Sequence, residues 1–399
     1  MLLMQRPPCS AANKVPHVVL IVGTRPEAIK LAPVAVALQA RPEVKVSIWC
    51  TGQHPKWAIE MLAYFGLIAE RLFDLSQQPP GLAQLCSAML TYLRTAFETE
   101  RPDVVLVQGD TSSAFAGALA AAYSGIPLVH VEAGLRSNNR HMPFPEEAHR
   151  RAIANFTSLH CAPTQVAANA LLTEGVAAVD ILQCGNTVID ALQLVQRGVE
   201  INDLFPEVGR LILLTCHRRE SWGEPFRAVC SAARQLANRG DCEIVFVVHP
   251  NPELIHVAHE MLSDHPGIRL VPPLGYPQFM QLLRRATLVL TDSGGIQEEA
   301  AALGTPLLVL RDTTERPEGI ETGTARLVGT TEQAIVTSAN ELLDSPDELI
   351  AMRVPCTLYG DGHAAERIAS AILNRWLTVA SRPAHPSMEP ISLRSTIFA

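Results

Sequence analysis

Two adjacent glycines separate an apolar run from a pair of glutamates in the segment Asp292–Glu299. The preceding residues Thr287–Thr291 predict a buried strand, and the alanine-rich residues that follow predict a helix. At such a turn a ligand can approach the free backbone amides of the first helical turn, which favour phosphate or carboxylate groups. We therefore predict that Ser293, Gly294 and Gly295 bind an anion, although an ordinary strand-to-helix turn would contain the same glycines.

The two glutamates of this segment, Glu298 and Glu299, add a different binding group. A carboxylate can accept both hydroxyl hydrogens of the cis-diol in a ribose. Amides for a phosphate and a carboxylate for a ribose would then lie about one helical turn apart. The segment therefore indicates a nucleoside diphosphate ligand, and the combination is more specific than either part alone.

Positive charge follows several of the predicted strands. Arg25 and Lys30 lie at the start of a predicted helix, where the helix dipole disfavours cations unless an anion is bound. His217 can titrate near neutrality, and Arg218 beside it suits a diphosphate. Arg316 brings a further cation to the same edge of the predicted sheet. Since no second histidine lies at the HExxH spacing, we predict no metal site.

Three carboxylates, Asp110, Glu132 and Glu146, could perform acid–base chemistry. Asp110 and Glu132 each follow a predicted buried strand, and Glu146 opens a predicted helix in which its spacing would align it with Arg150. Taken singly, Asp110 could cap a helix and Glu146 could be an ordinary acidic residue of a first turn. If the three converge, their repulsion raises the pKa of one of them and makes that group available for proton transfer.

Twelve short apolar runs alternate with helical patterns along the chain. Runs of this kind predict strands buried on both faces, and the connections are long enough to be crossover helices. We therefore predict an α/β protein with two doubly wound parallel sheets, whose strand ends carry the polar residues described above. The predicted strands are His17–Gly23, Val44–Gly52, Asp103–Asp110, Ile126–Ala133, Leu159–Thr164 and Val179–Gly185 in the first half, and Leu211–Thr215, Glu243–His249, Ile268–Leu274, Thr287–Asp292, Pro306–Arg311 and Ala325–Gly329 in the second.

Length and composition limit the class of protein. A chain of 399 residues favours two domains, and 48% apolar with 18% charged residues is typical of globular proteins. The net charge of −8 offers a nucleic-acid partner no general attraction. The sequence has no apolar run of transmembrane length and no CxxC pair among nine cysteines, and its first residues lack the long apolar segment that is typical of a secretion signal. We therefore predict a cytoplasmic protein with buried thiols and without a membrane or nucleic-acid partner.

Seven segments stand out together: Gly23–Lys30, His130–Arg136, Pro145–Glu147, His217–Glu220, Asp292–Glu299, Thr313–Pro317 and Tyr359–Gly362. In type and order they resemble the UDP-N-acetylglucosamine 2-epimerases, in particular the non-hydrolysing bacterial type. The resemblance runs from about His17 to about Leu373. It implies a glycosyltransferase-B-like architecture, in which two Rossmann-like domains face each other across a cleft.

The resemblance and the strand pattern together divide the chain into five parts. We predict a flexible arm at residues 1–15 and a flexible tail at residues 381–399. An N-terminal Rossmann-like domain is expected at residues 16–186, and a C-terminal, UDP-binding Rossmann-like domain at residues 187–362. The helix at residues 363–380 is expected to cross back to the first domain.

The resemblance also implies a reaction, the reversible conversion of UDP-N-acetylglucosamine to UDP-N-acetylmannosamine. In that family UDP leaves by anti elimination to give 2-acetamidoglucal, and UDP then adds back on the other face of the sugar. A base must remove the C2 proton, an acid must return one from the opposite face, and cations must stabilise the departing UDP. A homodimer and the absence of any cofactor are implied as well.

Roles follow for the residues that match the motifs of the family. The resemblance places Asp110, Glu132 and Glu146 at the sugar, without deciding which carboxylate is the base and which the acid. It assigns Arg25, Lys30 and His217 to catalysis at the diphosphate or the sugar, with Arg150 as a further partner, and it assigns Ser293, Gly294 and Gly295 to phosphate, Glu299 to ribose, Phe279 to the uracil side, and His249 and Arg316 to the remaining charge.

The sequence departs from the family near a second ligand site. In non-hydrolysing members, residues near this position help to bind a second, activating UDP-N-acetylglucosamine, and the resemblance assigns Gln53 and His54 to that site. Here Pro55 and Lys56 follow them in place of the usual arginine, and His149 stands where asparagine is usual. These departures weaken the expectation of allosteric activation.

Three other functions stay open from the sequence. A hydrolysing epimerase would let water capture the glycal and would release free N-acetylmannosamine and UDP. A glycosyltransferase of the same architecture would need an acceptor site and has less use for three inward carboxylates. An inactive nucleotide-sugar sensor would not need the candidate acids and bases that this sequence keeps.

Overall fold

The computed structural model describes residues 15–75, 81–195, 209–218 and 221–377. The predicted flexible arm, apart from residue 15, and the predicted flexible tail lie outside these ranges. The last three residues of the predicted crossing helix, 378–380, also lie outside them, as do residues 219 and 220 of the fourth motif.

The first half of the chain forms a sheet of seven parallel strands. The strands are β1 (His17–Val22), β2 (Lys45–Cys50), β3 (Arg71–Leu72), β4 (Val104–Gln108), β5 (Leu128–Val131), β6 (Leu159–Ala162) and β7 (Ile181–Gln183). Their order is β3-β2-β1-β4-β5-β6-β7, with all pairs parallel. Every residue of β1, β4, β5 and β6 is buried, as expected for strands that are covered on both faces.

Helices cover both faces of this sheet. Leu20 and Ile21 of β1 pack into two separate apolar clusters, because successive side chains of a strand point to opposite faces. Thr111 and Thr164 each cap the helix that follows, since their hydroxyls accept hydrogen bonds from the amides of Ala114 (3.0 Å) and Ala167 (3.2 Å). The helices are α1 (Arg25–Gln39), α2 (Pro55–Tyr64), α3 (Leu82–Glu100), α4 (Ser112–Tyr123), α5 (Glu146–Ala154), α6 (Gln165–Thr173) and α7 (Thr187–Val195), with a 3-10 turn at Ala178–Asp180.

The second half repeats this architecture with six parallel strands. The strands are β8 (Arg210–Cys216), β9 (Cys242–Val248), β10 (Ile268–Val271), β11 (Leu288–Thr291), β12 (Leu307–Val309) and β13 (Ala325–Leu327), in the order β10-β9-β8-β11-β12-β13. The helices are α8 (Glu224–Ala237), α9 (Pro252–Leu262), α10 (Tyr276–Arg285), α11 (Gly294–Leu303), α12 (Pro317–Glu321), α13 (Glu332–Asp344), α14 (Pro346–Met352) and α15 (Ala364–Ile372), followed by a π-helical turn at Leu373–Leu377.

All twelve predicted strands are confirmed, and so is the fold class of two doubly wound parallel sheets. The sequence did not predict β3, because two residues at a sheet edge are too few to form a pattern. In each sheet the strand order reverses beside the first strand, at β1/β4 and at β8/β11. Ligands of such sheets bind at the carboxyl ends of the strands beside this reversal. None of the helices in the described ranges is long and apolar enough to cross a membrane.

Two helices fasten the halves together. Helix α7 contacts α1 of the first half and α11 of the second, and α15 contacts both α1 and α7. The Asp190 carboxylate on α7 accepts hydrogen bonds from the first amides of α15, those of Ala364 (3.3 Å) and Ala365 (2.9 Å). The backbone amide of Asn186 donates to the carbonyl oxygen of Tyr359 at 2.6 Å. Domain boundaries at residues 186 and 362 stay our proposal.

Gly134 offers a test of how tightly the first half is packed. We expect Gly134→Ala to be far more destabilising than Gly175→Ala, although both glycines have positive φ, +90° and +89°. A Cβ at Gly134 would lie 2.2 Å from the carbonyl oxygen of Ala167, whereas a Cβ at Gly175 would meet nothing within 4 Å. Backbone strain alone should lower the free energy of unfolding by about 1 kcal/mol, and the clash should lower it by about 1–3 kcal/mol more.

Urea denaturation of the two variants measures this difference. Equal losses of stability in Gly134→Ala and Gly175→Ala would contradict the close approach of α6 to the turn after β5.

Candidate active site

A cavity of about 360 Å³ lies at the carboxyl ends of the second sheet, facing the start of α1. Both halves of the chain contribute to it, as a cleft between two Rossmann-like domains requires. Among the predicted site residues, Arg25, Lys30, His217, His249, Phe279, Ser293, Gly295 and Glu299 line this cavity. The lining does not include Asp110, Glu132, Glu146, Arg150, Gly294, Arg316, Gln53 and His54.

The glycine turn opens α11 at the floor of this cavity. Gly294 is the first helical residue, so the amides of the first turn have no intrahelical partner and can bind an anion. A Cβ at Gly295 would meet nothing within 4 Å, whereas a Cβ at Gly294 would lie 2.4 Å from an Arg316 guanidinium nitrogen. Gly295 therefore keeps the cavity open, and Gly294 is required by packing against Arg316.

Glu299 and Arg25 meet at the other side of the cavity. The Tyr276 hydroxyl donates a hydrogen bond of 2.8 Å to Glu299, and burial raises the pKa of Glu299 to about 7. The Arg25 guanidinium donates to the carbonyl oxygen of Leu274 at 3.0 Å and lies over the ring of Trp57, 5.5 Å from its centroid. Burial lowers the pKa of Arg25, and the nearby Glu299 opposes that effect. Arg25 thus bridges the two halves at the cleft.

His217 is oriented by a buried carboxylate. Asp292 is fully buried at the end of β11 and accepts hydrogen bonds from the amides of His217 and Arg218 and from the Ser221 hydroxyl (3.0 Å). Its Oδ1 lies 3.2 Å from Nδ1 of His217. Burial acts to raise the pKa of Asp292, but the His217 ring and these donors outweigh it and lower the pKa. The ring of His249 lies nearly parallel to that of His217, with centroids 6.4 Å apart.

Beneath the cavity, four charged side chains form a buried cluster, Lys30, Glu132, Glu298 and Arg316. Lys30 and Glu132 come from the first half, and Glu298 and Arg316 from the second. The Lys30 ammonium contacts Glu132 closely and lies 3.6 Å from Glu298. Arg316 donates to Glu298 at 2.7 Å and to Glu132 at 3.3 Å. The cluster therefore joins the two halves by ion pairs in both directions.

Glu132 is the centre of this cluster. Its Oε1 also accepts from the side-chain amide of Asn186 at 3.0 Å, and its Oε2 contacts the side-chain amide of Gln108 closely. Burial acts to raise the pKa of Glu132, but Lys30 and Arg316 outweigh it and lower the pKa. Its backbone has φ +65°, a left-handed conformation that is unusual for a residue other than glycine. Glu132 is therefore an ionised group with both oxygens engaged.

Asp110 and Glu146 differ from Glu132 in their surroundings. Asp110, at the end of β4, is partly exposed and pairs with Arg150 at 2.7 Å. The helix expected to align Glu146 with Arg150 is present, but the two do not form an ion pair, because the buried guanidinium of Arg150 points to Asp110 and lies 3.5 Å from Glu147. Glu146 is partly exposed in the first turn of α5, and no ion pair joins it to another of the described residues.

Gln53 and His54 lie apart from the cavity, beside the ends of β1 and β4. The Gln53 side-chain oxygen accepts from the amide (3.1 Å) and the hydroxyl (2.6 Å) of Ser113. The His54 amide donates to the carbonyl oxygen of Gly23 at 2.8 Å, and burial lowers the pKa of its ring. Their assignment to a second ligand site stays a prediction.

Five functional contacts escaped the sequence analysis, those of Tyr276, Asn186, Gln108, Asp292 and Glu315. Four of them act on a predicted site residue 23 to 75 residues away in the chain, and Glu315 acts on Arg218 from 97 residues away as well as on its neighbour Arg316. The carboxylate of Glu315, for example, accepts from Arg218 (3.0 Å), Arg311 (2.8 Å) and Arg316 (2.7 Å). Only Asp292 carried a usable signal, because it ends a predicted strand as Asp110 does.

The fold and the cleft define a glycosyltransferase-B-like protein. A crystal structure described as the glycotransferase of kitacinnamycin shares this fold with a TM-score of 0.60, over 90% of this chain and 99% of that one, at 17% identity. At that identity the likeness concerns the fold alone.

Closer relatives identify the family. A family model described as UDP-N-acetylglucosamine 2-epimerase matches residues 36–373. The UDP-N-acetylglucosamine 2-epimerase of Escherichia coli (strain K12) is 40% identical over 374 residues, which covers 91% of this chain and all of the relative (100%). The structure of UDP-GlcNAc 2-epimerase from Neisseria meningitidis bound to UDP-GlcNAc has a TM-score of 0.88 at 36% identity, over 90% of this chain and 100% of that one. The chain belongs to the UDP-N-acetylglucosamine 2-epimerase family and is an isomerase, which confirms the resemblance in the motifs.

Removing Arg316 should show how much the buried cluster contributes to the free energy of unfolding. In Arg316→Ala, the carboxylates of Glu132, Glu298 and Glu315 each lose one ion-pair partner. We expect the free energy of unfolding to fall by about 3–5 kcal/mol, because an unpaired buried charge is strongly unfavourable. Urea denaturation measures the loss.

The matched control for this variant is Arg94→Ala, which removes an exposed ion pair of 2.7 Å with Glu98. That change should lower stability by less than about 1 kcal/mol. If the two variants were equally stable, the cluster would not join the halves as described.

The raised pKa of Glu299 predicts a pH-dependent affinity for the ligand. On our proposal that Glu299 binds a ribose, the group, which is protonated below its pKa of about 7, would accept fewer hydroxyl hydrogens at low pH, so affinity for UDP-N-acetylglucosamine should rise as pH increases through 7. Tyr276→Phe removes the hydrogen bond that favours the ionised form, so the midpoint should move to higher pH. Isothermal titration calorimetry between pH 6 and 8.5 measures both effects.

Tyr359→Phe is the control, because Tyr359 is a buried tyrosine of the same half. Its hydroxyl accepts a hydrogen bond from the Gly319 amide at 3.1 Å. The midpoint of this variant should match that of the wild type. An unchanged midpoint in Tyr276→Phe would exclude Glu299 as the titrating group.

Proposed function

We propose that the protein converts UDP-N-acetylglucosamine reversibly to UDP-N-acetylmannosamine without net hydrolysis. A carboxylate removes the C2 proton, the bond from C1 to the phosphate oxygen breaks, and UDP leaves with its electron pair to give 2-acetamidoglucal. UDP then adds back to C1 while C2 takes a proton on the opposite face, which inverts C2. The names of the relatives from Escherichia coli and Neisseria meningitidis support the substrate.

The observation that carries this proposal is the cavity between the two halves, where side chains and amides suited to a ribose, a base and a diphosphate lie together. Glu299 at one end suits the ribose, and Phe279 suits the uracil. The first-turn amides of α11 and the Arg25 guanidinium suit the diphosphate. Such an arrangement stabilises the negative charge that grows on UDP as it departs.

His217 is the group that we assign to the departing phosphate. Its Nδ1 lies 3.2 Å from Asp292, whose carboxylate can accept a hydrogen bond from that nitrogen and so orients the ring. A protonated imidazole at this cavity can donate a proton or a hydrogen bond to the leaving oxygen. When UDP adds back, the same ring can take the proton again.

Proton transfer at C2 falls to Asp110 and Glu146 in this proposal. Glu132 is poorly suited, because both of its oxygens accept hydrogen bonds and its pKa is lowered. Asp110 has one ion-pair partner, Arg150, and Glu146 has none among the described residues, so both keep oxygens for the sugar. Glu132 then acts indirectly, by holding Lys30 and Arg316 in place. The homodimer and the cytoplasmic location stay predictions.

Proton NMR in heavy water tests the reaction. We expect the protein, incubated with UDP-N-acetylglucosamine alone, to form UDP-N-acetylmannosamine deuterated at C2 until an equilibrium mixture is reached. Free N-acetylmannosamine with stoichiometric UDP would instead identify a hydrolysing enzyme. Absence of any exchange at C2 would contradict an epimerase acting on this substrate.

Variants of the two carboxylates test the assignment. Asp110→Asn and Glu146→Gln should each lower the exchange rate by about 10²–10⁴-fold, the usual contribution of a positioned acid or base. Glu332→Gln, which changes a first-turn acid of α13 remote from the cleft, should leave the rate unchanged. A Glu146→Gln variant as active as Glu332→Gln would remove Glu146 from the mechanism.

A further inference from the structure

Glu27 lies in the first turn of α1, where an acidic residue would ordinarily face solvent near the helix dipole. It is instead fully buried. One carboxylate oxygen accepts hydrogen bonds from the Gly23 amide (2.9 Å) and the Thr24 hydroxyl (2.8 Å). The other accepts from the hydroxyl of Thr111 at 2.5 Å. Glu27 therefore links the turn after β1 to the turn after β4.

Thr111 is the residue directly after Asp110. Its hydroxyl donates to Glu27 and accepts from the Ala114 amide, so one oxygen both anchors the turn and caps α4. Because β1 and β4 are neighbours in the sheet, the two turns lie side by side at its carboxyl edge. The position of Thr111, and with it that of the preceding residue, depends on the Glu27 carboxylate.

Asp110 is held on its other side by α5. Its carboxylate pairs with Arg150 at 2.7 Å, and its carbonyl oxygen accepts from Nδ1 of His149 at 2.9 Å. The His149 ring stacks on Phe115 of α4, with centroids 4.8 Å apart and planes 6° from parallel. Two contacts from α5 and one from Glu27, acting through Thr111, thus surround this residue.

Glu27 itself is not suited to touch the substrate, because it is fully buried and both of its oxygens accept hydrogen bonds. Burial raises the pKa of Glu27 to about 7, and the hydrogen bonds from Thr111, Thr24 and Gly23 oppose that effect. The Gly23 amide and the hydroxyls of Thr24 and Thr111 all donate to this group. A carboxylate suits this position because its two oxygens can accept all three hydrogen bonds.

We propose that Glu27 is a positioning residue, which acts through Thr111 to hold the Asp110 carboxylate where proton transfer at C2 requires it. This inference rests on the proposed function, because it assumes that Asp110 transfers the proton. Displacing a catalytic group by about 1 Å can reduce a rate by about 10²-fold.

Substitutions at Thr111 separate positioning from helix capping. Thr111→Val should lower kcat for exchange at C2 by about 10–100-fold with little change in KM, whereas Thr111→Ser keeps the hydroxyl and should restore kcat. The control is Thr164→Val, which removes the equivalent cap of α6 from a threonine whose hydroxyl bonds no carboxylate among the residues that the structure describes. It should lower the melting temperature through the lost cap, by no more than Thr111→Val does, with kcat unchanged.

A double-mutant cycle with Glu27→Gln tests the link itself. Glutamine can still accept from the Gly23 amide, but it would offer Thr111 an amide donor in place of an acceptor. Glu27→Gln should therefore lower kcat as Thr111→Val does. The kcat of the double variant should be within about 2-fold of that of the worse single variant, because both changes remove the same hydrogen bond, the one that Thr111 donates to Glu27.

Additive losses in the double variant, or a kcat in Thr111→Val equal to that in Thr164→Val, would overturn the positioning role. A loss that Thr111→Ser fails to restore would overturn it as well. In these cases the wild type still exchanges deuterium, so the proposed function stands. A wild type without exchange would contradict the proposed function and, with it, this inference.

Discussion

The structure depends on the buried ion pairs among Lys30, Glu132, Glu298 and Arg316. A charge removed from water without a partner is strongly unfavourable. Lys30 pairs with Glu132 within the first half and Arg316 with Glu298 within the second, and each cation has a second carboxylate in the other half. All four ion pairs therefore form together only when the two sheets are docked in one orientation. The cavity follows from that orientation, because Lys30 lines it from the first half, and Arg316 packs against Gly294, which lies between the lining residues Ser293 and Gly295 of the second half.

The same cluster separates the carboxylates of the site into two kinds. Glu132 and Glu315 each accept from three or more donors, which keeps them ionised and fixed although they are buried. Asp110 and Glu146 have at most one charged partner and are partly exposed. Glu132 and Glu315 are fixed by their donors, whereas Asp110 and Glu146 are less constrained. This combination suits a reaction in which proton transfer must occur at a defined distance from the leaving diphosphate.

Most of the fold was predictable from the sequence. Strands such as β1 and β4 are continuous apolar runs bounded by glycine, and that pattern is local and follows from burial on both faces. The seven motifs also specified the family and the residues of the glycine turn, His217 and Glu299 that line the cavity. The edge strand β3 had too few residues to show any period.

The contacts between site residues were decided by the tertiary structure. The partners of Glu132 include Lys30, Asn186 and Arg316, which are 102, 54 and 184 residues away in the chain. Spacing within one helix aligned Arg150 with Glu146, yet the folded chain directs the Arg150 guanidinium to Asp110. Sequence alone thus determined which residue types reach the carboxyl edges of two sheets. Which of them pair there depends on how the sheets pack, because electrostatic and hydrogen-bond partners are chosen by distance in space and not by distance along the chain.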